Sequence, residues 1–84
     1  MLKYQTILES KKFKVSKVKN TTTGKSWYSF IYHVRYSFAG ANERDQVVDY
    51  LGENYKVIQS GREWRFKTLE PAVKKYNWAL MRWA

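Results

Sequence analysis

The chain has 84 residues, no cysteine, one histidine and a formal net charge of +9. The missing thiols exclude disulfide bridges and thiolate metal sites, and a single histidine makes a zinc site implausible, so no metal and no cofactor is expected. The length predicts one small domain over residues 1–84, with a core drawn largely from four Trp, seven Tyr and four Phe. No apolar run suits a membrane span and no signal-peptide pattern opens the chain, so we expect a cytoplasmic protein.

The positive charge is concentrated near the N-terminus. Residues 1–25 hold seven lysines and a single acid, Glu9, whereas four acids lie within residues 43–53. Such an asymmetry predicts one basic surface and a separate acidic or neutral one.

The first predicted strand lies inside the lysine-rich part. Residues 11–19 interleave lysines with apolar side chains, which indicates a strand. The alternation slips after Val15, because Val18 falls out of phase, and a β-bulge near Ser16 would explain the slip. Residues 20–25 are rich in Thr and contain Asn and Gly, which predicts the turn that follows.

Residues 26–38 carry the clearest strand pattern. Side chains on one face of a strand recur at every second residue. The even positions are apolar: Tyr28, Phe30, Tyr32, Val34, Tyr36 and Phe38. The odd positions are mixed: Trp27, Ser29, Ile31, His33, Arg35 and Ser37. We expect the even positions to face the core and the odd positions to face solvent or a ligand.

A helix is predicted next. Residues 40–42 would end the hairpin, and Asn42 is a good helix N-cap. Val47, Val48 and Leu51 then recur at helical spacing, which predicts one apolar face.

The last third of the chain predicts a second hairpin and a second helix. Residues 55–60 and 63–68 would pair across a turn at Ser60-Gly61. Thr68 would cap the final helix, and Pro71 falls in its first turn, where a missing N–H costs little. The apolar stripe of this helix is expected to pack on the sheet: Leu69, Val73, Tyr76, Leu80 and Trp83.

The element order therefore predicts an α+β fold of the form β-β-α-β-β-α. Its four-stranded antiparallel sheet would carry both helices on one face. A further short strand or helix at residues 2–9 is left open. The uncovered face would show Trp27, His33, Arg35, Arg65, Lys67 and some of the N-terminal lysines.

This basic face predicts non-enzymatic RNA binding with little sequence selectivity, because phosphate neutralisation supplies affinity that does not depend on sequence. The alternative for the lysines is protection of a solvated edge strand against aggregation. RNA is preferred to DNA, which stays an alternative, because neither predicted helix suits major-groove reading. The candidate RNA-binding residues are Lys11, Lys12, Lys14, Lys17, Lys19, Lys25, Trp27, His33, Arg35, Arg65 and Lys67.

The outer side of the final helix predicts a protein interface. Lys74, Trp78 and Arg82 recur there at a spacing of four residues, and Trp and Arg are enriched at interface hot spots. A cation–π pair within this group is the other interpretation. The partner would be a second copy of the chain, giving a homodimer, or a host enzyme inhibited through the aromatic surface.

A small metal-free ribonuclease is the third functional class. It would use His33, the single histidine of the chain, as the acid–base group, together with Arg35, Arg65 and a carboxylate such as Glu63. A lone histidine on a strand is more often structural, so no catalytic residue is assigned.

In size, charge and aromatic content the whole chain resembles the small early accessory proteins of tailed bacteriophages that infect enteric bacteria. Among these it is most similar to the RNA-binding phage inhibitor of the ToxIN toxin–antitoxin system. The resemblance rests on no motif, so it transfers no residue. It implies a protein of the host cytoplasm that evades antiviral defence by neutralising a toxin ribonuclease through shared RNA.

Overall fold

A computed structural model describes residues 1–33, 40–59 and 61–83, with the backbone alone at 40–43. The described chain forms an open antiparallel sheet of five strands, in the order β1-β2-β3-β5-β4, together with two helices. The elements are β1 (Leu2–Glu9), β2 (Phe13–Asn20), β3 (Ser26–His33), α1 (Gly40–Leu51), β4 (Lys56–Ile58), β5 (Gly61–Phe66) and α2 (Leu69–Trp83). Neither described helix combines the length and the apolarity needed to cross a membrane.

The α+β class is confirmed, but the prediction of four strands is wrong. Residues 2–9, left open in the sequence, form β1 and pair antiparallel with β2. β1 is an edge strand whose first half is exposed, so burial imposes little apolar pattern on it.

A β-bulge lies in β1 and not in β2, where it was predicted. Thr6 pairs with Ser16 and Leu8 pairs with Val15, so the ladder skips Ile7. The skip lets both Ile7 and Leu8 pack against the core. β2 itself pairs with β3 without interruption. Val18 is out of phase because it faces away from the helices.

The predicted core face of β3 is confirmed for its described part, but the other face is not the solvent-exposed one expected, because Ser29 and Ile31 are 0% and 6% exposed. Phe30 and Tyr32 are fully buried in the core beneath the helices, and Tyr28 packs at its edge. The centroid of the Phe30 ring lies 5.6 Å from that of Phe13 and 5.5 Å from that of Trp64. Aromatic contacts across β2, β3 and β5 therefore supply much of the core. The predictions for Val34, Arg35, Tyr36, Ser37 and Phe38 lie outside the described residues.

α1 begins at Gly40, so Asn42 lies inside its first turn and is not the N-cap. The chain thus enters the helix earlier than the capping pattern predicted, and residues 40–42 do not end a hairpin. Val47 and Leu51 are buried as expected.

α2 begins directly after Thr68 and has Pro71 in its first turn, as predicted. Its buried residues are Ala72, Tyr76 and Ala79. The stripe predicted Tyr76 correctly, and Leu80 and Trp83 pack against the core as expected, but Leu69 is 36% exposed and lies outside the core. Two alanines take the central positions because a short side chain lets a helix lie close to a sheet.

Lys75 of α2 binds the C-terminal end of α1. Its ammonium donates a hydrogen bond to the carbonyl of Leu51, the last residue of α1, and lies 5.7 Å from the centroid of the Trp64 ring. The Trp64 Nε1 donates to the Gly52 carbonyl at 3.2 Å. A cation at a helix C-terminus complements the helix dipole and satisfies a carbonyl that the helix leaves open. Burial lowers the pKa of the Lys75 ammonium.

The lowered pKa predicts how stability depends on pH. Between the folded pKa of Lys75 and its ordinary value of 10.5, the unfolded chain binds more protons than the folded chain. The free energy of unfolding of the wild type, relative to Lys75→Met, should therefore rise with pH across that window. Urea unfolding of both proteins from about pH 7 to about pH 10 measures the difference. Lys74→Met, on the exposed side of the same helix, is the matched control. A difference that stays flat or falls with rising pH would contradict the burial of Lys75.

Candidate nucleic-acid interface

The strand geometry of β2 divides its lysines between the two faces of the sheet. Phe13 and Val15 face the helices, so Lys17 and Lys19 share that side and Lys14 faces away from it. We call the side opposite the helices the far face. The remaining predicted lysines lie at the two ends of the sheet: Lys11 and Lys12 between β1 and β2, and Lys25 between β2 and β3.

Four lysines lie toward the same end of the sheet: Lys3, Lys17, Lys19 and Lys25. We call them the lysine cluster. Lys3 lies directly opposite Lys19 in the β1–β2 register. The four side chains are exposed, and within the described chain none of them forms an ion pair. The Lys17 ammonium lies 6.0 Å from the centroid of the Tyr28 ring. Lys67, exposed just beyond the end of β5, extends the same end of the sheet.

The turn between β2 and β3 holds this end together. The Thr21 amide donates to the Met1 carbonyl at 2.9 Å, and the Asn20 side-chain oxygen accepts the Thr22 amide at 2.9 Å. Gly24 has a φ of 76°, a left-handed value that favours glycine. The start of β1 is thereby fixed beside the turn, and Lys3 beside Lys19.

Like charges placed directly opposite on neighbouring strands destabilise a sheet. The Lys3–Lys19 pair is therefore an arrangement that a bound anion would relieve. Lys3 was absent from the predicted site because its strand was not assigned. The signal was the alternation of Leu2, Tyr4 and Thr6 with Lys3 between them, which a β1 assignment would have used.

The far face carries a different arrangement, built around a buried acid. Glu63 is 3% exposed. One of its oxygens accepts the Arg65 Nε–H at 2.9 Å, and the other accepts the Ser29 hydroxyl at 2.6 Å. The Trp27 indole N–H donates to Ser29 at 3.0 Å, and the Arg65 guanidinium lies 4.4 Å from the centroid of the Trp27 ring. The prediction that Trp27 and Arg65 share this face is correct, and Arg65 covers the Trp27 ring.

His33 ends β3 and lines a concavity on the far face together with Lys14, Glu63 and Arg65. Its backbone N–H donates to the Lys12 carbonyl at 2.8 Å, which joins the two strands at this end. No group of three metal-ligating side chains occurs among the described residues. Arg35, the remaining predicted residue, lies outside them.

Of the three residues predicted to form an interface on α2, Trp78 is free of cation contacts in the described chain, whereas Lys74 and Arg82 contact other side chains. Trp78 is 53% exposed and its neighbour Met81 is 86% exposed. Lys74 lies 3.8 Å from the carboxylate of Glu70. The Arg82 guanidinium lies over the rings of Tyr50 and Trp83, at 4.7 and 5.4 Å from their centroids. Arg82 therefore packs within the α1–α2 contact, and in the described chain no cation lies over Trp78.

The chain matches no family model, no curated protein and no solved structure in the three comparisons made with them.

Because Glu63 is buried and paired with Arg65, removing its charge should lower the free energy of unfolding. Glu63→Gln keeps the size of the side chain but leaves Arg65 without its ionic partner, so the free energy of unfolding should fall by about 1–3 kcal/mol. Urea unfolding measures the change. Glu53→Gln alters an exposed acid and should stay within about 0.5 kcal/mol of the wild type. Equal effects of the two substitutions would rule out a structural role for the Glu63–Arg65 pair.

Proposed function

We propose that the protein binds RNA through the lysine cluster, with little sequence selectivity and without cleaving it. The observation that supports this most directly is the Lys3–Lys19 pair: two cations directly opposite each other on neighbouring strands, with no ion-pair partner among the described residues. The repulsion between the two ammonium groups lowers stability, and no acid in the described part of the chain pairs with either of them. A polyanion relieves it, because each bound phosphate neutralises a lysine and releases a condensed counterion.

The type of cation supports low selectivity. Lysine is a flexible point charge, whereas direct base reading relies on planar bidentate groups such as arginine. RNA is the preferred polyanion because neither helix suits major-groove reading. α1 exposes Asp45 and Asp49, and one side of α2 is used by the core.

The resemblance of the whole chain to TifA, the phage inhibitor of ToxIN, suggests a process for this binding. The protein would then act in the cytoplasm of an infected host, where it would hold RNA jointly with a toxin ribonuclease. This assignment is part of the proposal and rests on size, charge and aromatic content alone.

Reversing one charge of the cluster should separate binding from stability. Lys19→Glu places an acid opposite Lys3, so the free energy of unfolding should rise by about 0.2–1 kcal/mol at low salt. The same substitution should weaken RNA binding, because a phosphate contact is replaced by repulsion. Urea unfolding and fluorescence anisotropy with a labelled RNA give the two readouts. A variant that is more stable and still binds RNA like the wild type would contradict the proposal, because its higher stability shows that it is folded.

The salt dependence of binding is the second readout of the same series. Lys19→Gln should make the slope of log K against log salt shallower by about 0.7 for single-stranded RNA. Lys74→Gln makes the same charge change on α2, beside Glu70, and should leave the slope unchanged. The RNA should be recovered intact from these mixtures. Cleavage that disappears in His33→Ala would show that binding alone is the wrong description.

A second candidate function is self-association through α2, favoured by the exposure of Trp78 and Met81 on neighbouring positions of one helix face. Large exposed apolar side chains next to one another mark interaction surfaces.

Sedimentation at increasing protein concentration tests this candidate. The wild type should form a dimer, and Trp78→Ala should weaken it by about 2 kcal/mol, the loss typical of an interface hot spot. Val57→Ala removes another exposed apolar side chain, on β4, and is the control. A wild type that stays monomeric at all concentrations would exclude the dimer and leave α2 to a different protein partner.

A further inference from the structure

The far face contains a concavity that the lysine cluster does not use. It is open to solvent, has a volume of about 680 Å³, and its lining includes Tyr4, Lys14, Ile31, His33, Ile58, Glu63 and Arg65. This volume falls in the range of about 300–1,000 Å³ that small-molecule sites occupy. We propose that it captures one unpaired nucleotide of the bound RNA, with the phosphate at Arg65 and Lys14 and the base on the Tyr4 ring. This inference rests on the proposed function and adds a preference for single-stranded RNA.

Arg65 is pre-organised for a phosphate. Glu63 accepts its Nε–H, and its guanidinium carbon lies over the Trp27 ring, so two contacts hold the guanidinium. Its Nη groups donate no hydrogen bond within the described chain and remain available. A planar fork of N–H donors matches phosphate oxygens, and holding it in place beforehand reduces the entropy lost on binding.

Charge favours a single phosphodiester as the occupant. Lys14 and Arg65 contribute two positive charges and Glu63 one negative charge, which leaves +1 without His33. A phosphodiester carries one negative charge and so matches this balance. Glu9 lies opposite Lys14 in the register but does not line the concavity, and no ion pair joins the two within the described chain.

The base would stack on Tyr4. Trp27 is covered by Arg65, whereas Tyr4 is 55% exposed and lines the same concavity as the apolar side chains of Ile31 and Ile58. A base inside a duplex is already paired and stacked and cannot enter such a site, but an unpaired base can stack on an aromatic ring.

The two surfaces are continuous across β1. Lys3 and Tyr4 are adjacent residues of an edge strand and therefore point to opposite faces of the sheet. A single strand whose phosphates contact Lys3 can pass over this edge and bring its next nucleotide to Tyr4.

The test compares an unstructured labelled 12-nucleotide RNA with a blunt duplex of the same length, by fluorescence anisotropy at several salt concentrations. The wild type should bind the single strand about tenfold more tightly than the duplex, as stacking of one base implies. Tyr4→Ala should remove most of this preference and leave duplex binding unchanged, whereas Tyr4→Phe, which keeps the ring, should retain it. Lys14→Gln should weaken single-strand binding more than duplex binding, and Lys17→Gln in the lysine cluster should weaken both alike.

The outcomes distinguish the two proposals. Salt-dependent binding of both RNAs with no effect of Tyr4→Ala would overturn the nucleotide site and leave the lysine cluster standing. Folded protein that binds neither RNA would overturn both. A polyglutamate peptide that competes as well as RNA of equal charge, and loses this ability in Tyr4→Ala, would assign the concavity to an acidic peptide instead.

Discussion

The ring contacts of Phe13, Phe30 and Trp64 across β2, β3 and β5 set the orientation of almost everything else. Side chains alternate strictly along a strand, so a shift of one residue would turn every side chain to the opposite face. Once these three rings lie under the helices, Ser29, Glu63 and Arg65 must lie together on the far face. The core contacts thus determine which polar groups meet, although those groups lie on the opposite face of the sheet.

The fold places two groups of cations in different surroundings. Arg65 is held by a buried carboxylate and an indole ring, an arrangement that fixes its geometry. The lysines opposite each other on β1 and β2 have no acid within the described chain and repel one another. The first arrangement suits a specific contact, and the second suits a diffuse charge field. A protein that holds an RNA backbone loosely and one nucleotide firmly would use both.

The sequence predicted elements best where burial imposed a clear pattern. β3 was assigned correctly as far as the structure describes it, because its alternate positions are aromatic. β1 was left open because an exposed edge strand needs few apolar residues, and its bulge at Ile7 interrupts those present. The same gap removed Lys3 from the predicted site. On α2, the periodic pattern overlooked Ala72 and Ala79, since alanine is too small to mark a core position by hydrophobicity.

Composition and local pattern alone determined that this chain is a small basic α+β domain with an aromatic core and a lysine-rich N-terminal part. They could not determine which lysines act together, because that depends on strand register, a relation between residues distant in sequence. Register brought Lys3 beside Lys19 and separated Lys14 from both. Tertiary packing likewise decided that Arg65 covers Trp27, that Arg82 packs on Tyr50 and that Tyr4 stays exposed beside a concavity. These contacts join side chains through space, and only the folded sheet and helices bring them together.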